Sequence, residues 1–151
     1  MQSPVDSGML IGNSFWRCVV NLFTPAETVE NYAAAGVAKT QAPAWRLLLL
    51  GILAGFLIAM GGAVTNTAGH SIANVGLCRL VSGLLFPFGL AMVILTGAEL
   101  FTGNTLLFLS VLNQRTSAAR MLRNWGLVYL GNFAGALAVA AGAAVAAGRG
   151  G

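Results

Sequence analysis

An unbroken apolar run at residues 47–64 constrains the fold of this chain more than any other feature of its sequence. The run is LLLLGILAGFLIAMGGAV, and it contains no charged side chain. At 1.5 Å per residue, a helix of this length crosses roughly the 30 Å of hydrocarbon in a bilayer. The sequence therefore predicts a first transmembrane helix at 47–64. Gly51 and Gly55 in it predict a face on which a second helix can pack closely.

The composition of the chain agrees with a membrane protein. Hydrophobic residues make up 57% of its 151 positions and charged residues only 8%, against about 25% in an average soluble domain. The net charge of +4 includes no basic run, which argues against nucleic-acid binding. Cys18 and Cys78 are far apart and form no Cys-x-x-Cys motif, so neither a disulfide framework nor a zinc site is predicted.

Two segments precede the first span. Residues 1–23 are predicted to be an N-terminal tail, and residues 24–42 an amphipathic helix that begins with a capping box at Thr24 and Glu27. The expected apolar stripe comprises Val29, Tyr32, Ala33, Gly36 and Val37, and the expected polar face Glu30, Asn31 and Lys39. An amphipathic helix beside a span is expected to lie on the membrane surface.

The remainder, residues 43–148, is predicted to be a three-span membrane domain. The third span is expected at about 125–145, where Gly131 and Gly135 give another close-packing face. The predicted fold class is therefore all-α, with polytopic membrane helices preceded by the amphipathic helix. No enzyme is expected, because the sequence has no Ser-His-Asp arrangement or phosphate loop. No metal cluster is found either, so neither a metal nor a cofactor is predicted.

The second apolar stretch, residues 80–112, is too long for one span and is polar in its middle. Its centre, TGAELFTGNT at 96–105, contains a carboxylate, an asparagine, two glycines and three threonines. Unwound backbone survives at membrane depth only where protein buries it or water lines it. We therefore predict a broken helix that stops near Ala98 and restarts near Asn104. The residues singled out in its loop are Gly97, Glu99, Gly103 and Asn104.

Glu99 is the only acid within the predicted spans. An ionisable side chain there costs roughly 2.5–3.5 kcal/mol on insertion scales, so it requires a partner or a function. One interpretation is an ion or proton site. The other is structural: Glu99 caps N–H groups at the break or pairs with an arginine. The restarted helix could likewise attract an anion to its N-terminus, with help from the Thr102 hydroxyl, or be a simple kink.

Phe86 and Leu90 are four residues apart on one helix face. Such a pair could narrow a pore, because apolar constrictions gate by excluding water. The same spacing also suits ordinary core or lipid contact, so spacing alone leaves both interpretations open.

The distribution of the eight basic residues predicts the orientation of the chain. One side carries Arg17, Lys39, Arg46, Arg115, Arg120 and Arg123, and the other carries Arg79 and Arg149. By the positive-inside rule, the N-terminus and the second connector are cytoplasmic and the C-terminus is outside.

Three motifs in order resemble the formate/nitrite transporter family. GAELFTGN at 97–104 resembles the signature loop of the family, TPAETVENYAAAGVAKT at 24–40 its amphipathic helix, and RNWGLVYLGNFAGAL at 123–137 its third transmembrane helix. The resemblance covers residues 23–144. It implies an aquaporin-like protomer of two inverted three-helix repeats, assembled as a pentamer in the bacterial inner membrane. Small monovalent anions such as formate, nitrite or hydrosulfide pass each pore, in some members with protons.

The resemblance also implies roles for individual residues. Thr102 matches the loop threonine that approaches a central histidine, and Phe101 lies beside it in the loop. Phe86 and Leu90 match the outer and inner constriction residues. Glu99 stands where family members carry Asp or Glu.

Only the first repeat of the family is expected in this chain, as a fragment, a truncated product or one part of a split protein. His70 does not match the central histidine, which belongs to the second repeat. A non-conducting membrane fragment or helical interaction protein that needs a second half is the alternative. A third arrangement, two copies inserted in opposite orientations, is disfavoured by the charge distribution.

Overall fold

The computed structural model describes residues 23–148, and within that range it is helical without any strand. The helices are α1 (Pro25–Gln41), α2 (Ala44–Gly69), α3 (Val75–Leu85), α4 (Pro87–Thr96), α5 (Phe101–Asn104), α6 (Leu107–Leu112) and α7 (Ala118–Gly148). Three segments are long and apolar enough to cross a membrane: α2, α3 together with α4, and α7. The prediction of an all-α, polytopic membrane chain is confirmed. The predicted tail, except Phe23, lies outside the described residues.

Helix α1 begins with the predicted capping box. The Thr24 hydroxyl accepts from the backbone N–H of Glu27 at 3.3 Å, and the Glu27 carboxylate accepts from the backbone N–H of Thr24 at 2.8 Å. The helix ends before Pro43, because Ala42 adopts the extended backbone that a following proline favours. The buried face of α1 consists of Ala33, Gly36 and Thr40. Val29, expected in the apolar stripe, is exposed.

Helices α2 and α7 pack closely through glycines, as their spacing predicts. A side chain added at Gly55 would collide with the backbone carbonyl of Asn132, and one at Gly135 with that of Ile52. The first carbon of a side chain at Gly131 would lie only 2.8 Å from the carbonyl oxygen of Leu48. Because neither helix can move its backbone away cheaply, small residues are required along this contact.

The helices that correspond to the first and third predicted spans, α2 and α7, extend beyond the bounds predicted for those spans. Helix α2 continues to Gly69 rather than ending at Val64. The hydroxyl groups of Thr65 and Thr67 donate to the carbonyls of Gly61 and Ala63, at 2.7 and 2.9 Å, so polar residues fit inside the helix. Helix α7 begins at Ala118, seven residues before the predicted start of the third span.

The second apolar stretch is broken, but the break is shorter than predicted. Its first helix begins at Val75, where the Asn74 side chain accepts from the backbone N–H of Leu77 at 3.0 Å. Pro87 interrupts this segment once more, after Phe86, because proline has no N–H to donate. The irregular backbone covers only residues 97–100, and helix resumes at Phe101 rather than near Asn104.

Four residues predicted in the loop or at its end therefore lie in a short helical turn instead. They are Phe101, Thr102, Gly103 and Asn104. The helix restarts early because the N–H of Phe101 already has an acceptor, the side-chain oxygen of Asn132 at 2.9 Å. That bond satisfies one of the free donors at a helix start.

Candidate anion pathway at the broken helix

The end of α4 depends on the backbone of Gly97. This residue is left-handed, with φ of 66°, which glycine adopts without strain. The N–H groups of Gly97 and Ala98 bond back to Ile94 and Val93, at 3.3 and 3.1 Å, and close the last turn. The next N–H, that of Glu99, donates to the carbonyl of Leu50 in α2 at 3.2 Å. The chain thus leaves α4 already attached to α2.

Asn132 of α7 holds the break in place from the other side. Its side-chain oxygen accepts from the N–H of Phe101. Its amide nitrogen donates to the carbonyls of Glu99 at 2.9 Å and Gly51 at 2.8 Å. One amide therefore satisfies an N–H and a carbonyl at the break as well as a carbonyl of the continuous helix α2, and it joins α2, the break and α7.

Glu99, which is only 8% exposed, is paired with a lysine that belongs to a ring of hydrogen bonds with two asparagines. The Lys39 ammonium lies 2.9 Å from the Glu99 carboxylate and 3.1 Å from the side-chain oxygen of Asn104. Asn104 donates to Asn124 at 2.9 Å, and Asn124 donates to the backbone carbonyl of Lys39 at 3.2 Å. The partner of Glu99 is therefore a lysine from α1, and not the arginine considered from the sequence. Lys39 was expected on the solvated face of α1.

Two further side chains donate to carbonyls of the restarted helix. The Tyr32 hydroxyl donates to the carbonyl of Gly103, and the Trp125 ring nitrogen donates to that of Asn104, each at 2.7 Å. Burial, and then the nearby Glu99 carboxylate, raise the pKa of Tyr32 above its usual 10.0. Tyr32 therefore remains a neutral donor over the physiological range.

An open cleft of about 650 Å³ lies between the break and α1. The predicted site residues that line it are Leu90, Gly97, Glu99, Thr102, Gly103 and Asn104. No acceptor among the described residues takes the backbone N–H groups of Leu100, Thr102 or Gly103. The Thr102 hydroxyl likewise has no partner there. These groups leave the cleft with hydrogen-bond donors and no uncompensated charge.

Two predicted pathway residues do not line this cleft. Phe86 is exposed at the kink before Pro87, one turn ahead of Leu90. The Phe101 ring packs edge-on against Trp125 and Tyr129, at centroid distances of 6.1 and 5.6 Å. In the described part of the chain no three His, Cys, Asp or Glu side chains are grouped as a metal ion would require.

Comparisons with known sequences support the family resemblance of the three motifs. A family model described as "Formate/nitrite transporter" matches residues 26–149. A "Probable formate transporter" of Methanothermobacter thermautotrophicus is 38% identical over 130 residues, which are 83% of this chain and 47% of that protein. "Formate channel FocA" of Haemophilus influenzae is 37% identical over 120 residues, covering 78% of this chain and 42% of the relative. FocA of Escherichia coli K12 is 32% identical over 119 residues, covering 78% and 42%.

The chain thus spans less than half the length of these curated relatives. No solved structure is significantly similar to it. The family match covers most of the chain, including α1, the break and α7. The chain belongs to the formate/nitrite transporter family.

Proposed function

We propose that this chain forms the first of two repeats of a channel or transporter for small monovalent anions of the formate, nitrite or hydrosulfide class. The observation that carries the proposal is the break at residues 97–100, which opens beside a cleft with unpaired donors. The relatives named as formate transporters and channels support formate as the first anion to test.

The donors in the cleft suit an anion that must enter and leave quickly. Backbone N–H groups of Leu100, Thr102 and Gly103, with the Thr102 hydroxyl, replace part of the lost hydration shell. The Lys39 charge is offset by Glu99 at 2.9 Å, so the site attracts the anion without trapping it. Leu90 at the cleft and Phe86 one turn further are the apolar constrictions.

The remaining elements of the proposal come from the family resemblance. A second three-helix repeat completes the pore and supplies the central histidine. Five protomers assemble in a bacterial inner membrane with α1 in the cytoplasm, and protons accompany the anion in one mode of transport. The exposed apolar side chains on α3, α4 and α7 suit contact with lipid or with neighbouring subunits.

Formate flux into proteoliposomes tests the proposal. The chain is reconstituted alone, and together with the C-terminal half of the Methanothermobacter thermautotrophicus relative, the part beyond the matched segment. We expect formate uptake well above empty liposomes only when both halves are present. Halves that co-purify and fold but carry no formate would favour a non-conducting interaction protein. Selective flux by the chain alone would instead favour two oppositely inserted copies.

A further inference from the structure

A second cleft, separate from the anion pathway, lies where α1 ends and α7 begins. It has a volume of about 380 Å³ and is lined by Thr40, Gln41, Arg120 and Arg123. Two contacts join the elements around it. The hydroxyl groups of Thr40 and Thr116 lie 3.0 Å apart, and the Arg123 guanidinium donates to the carbonyl of Ala42 at 3.3 Å. The cleft therefore lies at a junction where the end of α1 and the start of α7 are bonded together.

The cleft carries uncompensated positive charge. Among residues 23–148 the carboxylates of Glu30 and Glu99 pair with Arg115 and Lys39. None pairs with Arg120 or Arg123, and no described group accepts from the Arg120 guanidinium. The N-terminal end of the long helix α7 adds its partial positive charge at the same place. Two guanidinium groups beside a helix start are a donor set suited to a phosphate.

The depth of the cleft is that of lipid headgroups. Trp45, in the first turn of α2, is 66% exposed, as tryptophans of the membrane interface are. The Ala42 carbonyl that Arg123 contacts lies just before this turn. Helix α7 has 31 residues, about 46 Å at 1.5 Å per residue, so part of it extends beyond roughly 30 Å of hydrocarbon, and its two arginines, Arg120 and Arg123, lie in its first two turns. The same exposed Trp45, three residues beyond the Ala42 carbonyl that Arg123 contacts, offers an apolar contact for an acyl chain.

We propose that this cleft binds the phosphate group of an anionic phospholipid headgroup, with Arg120 and Arg123 as its donors. The site does not require the chain to conduct, so it stands or fails separately from the proposed transport function. Basic clefts between membrane helices at the cytoplasmic side commonly bind such lipids. A free phosphate would use the same donors, but it has no acyl chain that could contact the exposed Trp45.

Native mass spectrometry of the full chain in a nonionic detergent tests the site. The protein is titrated with phosphatidylglycerol, phosphatidylcholine or inorganic phosphate. We expect retention of phosphatidylglycerol over phosphatidylcholine, with a loss of about fivefold in affinity for each arginine removed. Arg120→Gln, which breaks no described hydrogen bond, should show the single loss, and the double variant Arg120→Gln/Arg123→Gln the larger one. Arg120→Lys should retain most of the binding.

Arg79→Gln is the matched control, because it removes an arginine at the opposite end of the helices. It should bind phosphatidylglycerol like the unmodified chain. Three results would overturn the proposal: equal retention of both lipids, a loss with Arg79→Gln as large as with Arg120→Gln, or unchanged lipid binding in Arg120→Gln. Phosphate that displaces the lipid and binds as tightly would identify a free-anion site instead.

Discussion

At the residue scale, single side chains replace the hydrogen bonds that a continuous helix would make at the break. Asn132 satisfies one N–H and one carbonyl there and also bonds to a carbonyl of α2, and Tyr32 and Trp125 satisfy the carbonyls of the restarted turn. Lipid offers no hydrogen-bond partners, so backbone groups inside a membrane must be satisfied by the protein or by water in a cavity. The donors left without partners, near Thr102, are therefore the exceptional groups of the site.

Replacing Thr102 by Val is expected to reduce anion flux without unfolding the protein. The change keeps the shape but removes a hydroxyl that has no partner among the described residues. A hydrogen bond to the passing anion is worth about 0.5–1.5 kcal/mol, which corresponds to a fall of about 2- to 12-fold. Initial formate uptake by the two co-reconstituted halves measures it. Thr67→Val in α2, which removes a hydroxyl far from the cleft, is the control, and an equal loss there would contradict the role.

Replacing Tyr32 by Phe is expected to give a pH-dependent loss of stability. Because the pKa of Tyr32 is raised, the folded chain favours the neutral phenol. The stabilisation is therefore complete below pH 10.0 and is lost as the pH rises through the higher pKa of the folded state. Thermal unfolding in detergent should show Tyr32→Phe about 0.5–1.5 kcal/mol less stable at pH 8, and a smaller difference at pH 11.

Tyr129→Phe provides the matched control for that measurement. It keeps the ring that packs on Phe101 and removes a hydroxyl with no hydrogen bond to the described residues. Its stability should follow that of the unmodified chain at both pH values. A gap between Tyr32→Phe and the unmodified chain that widens above pH 10 would reverse the sign and exclude the neutral phenol as the bonded form.

Sequence reasoning located the break but not the residues that hold it. Gly97 and Glu99 were singled out because polar and flexible residues are rare inside spans. Lys39 was missed because a lysine on an amphipathic helix is usually solvated, and only tertiary packing brings it to Glu99. A signal existed for Asn124 and Asn132, since they lie eight residues apart on one face of an apolar helix.

At the element scale, the glycine spacings predicted the packing better than the hydrophobic runs predicted the helix ends. Helices α2 and α7 contact each other at four glycines, Gly51, Gly55, Gly131 and Gly135. The spacing predicts this contact because two helix backbones can approach closely only where the side chains are small. Helix ends depend instead on local hydrogen bonds. The hydroxyls of Thr65 and Thr67 extend α2 by bonding within the helix, which hydropathy does not register.

Replacing Gly55 by Ala is expected to destabilise the pair of helices. The added carbon would overlap the backbone of Asn132, which has no flexible end to move, at a cost of about 1–3 kcal/mol. Gly62→Ala in the same helix has open space around it and should instead stabilise by about 0.5–1 kcal/mol. Unfolding in mixed micelles compares the two variants. Equal effects would show that α2 and α7 do not pack as described.

At the scale of the whole molecule, the helices carry their charges asymmetrically. Five basic residues lie on or beside α1 and the adjoining ends of α2 and α7: Lys39, Arg46, Arg115, Arg120 and Arg123. At the opposite ends of these helices there is Arg79, in α3. Three segments are long and apolar enough to cross a membrane, and an odd number of crossings puts the two ends of a chain on opposite sides of the bilayer.

Reporter fusions are expected to find α1 in the cytoplasm and the end of α7 outside. Translocation of Arg115, in the connector before α7, and of Arg120 and Arg123, in the first turns of α7, is disfavoured, so this end of α7 stays inside and sets the direction of every span. Alkaline phosphatase joined after Gly148 should be active, and a green fluorescent protein at the same point dark. Joined after Thr116, in the connector before α7, the two reporters should exchange their signals.

Fluorescence after Gly148 with inactive phosphatase would place the end of α7 in the cytoplasm. Strong signals from both reporters after Gly148 would reveal mixed insertion, and two opposed copies could then rebuild an inverted repeat.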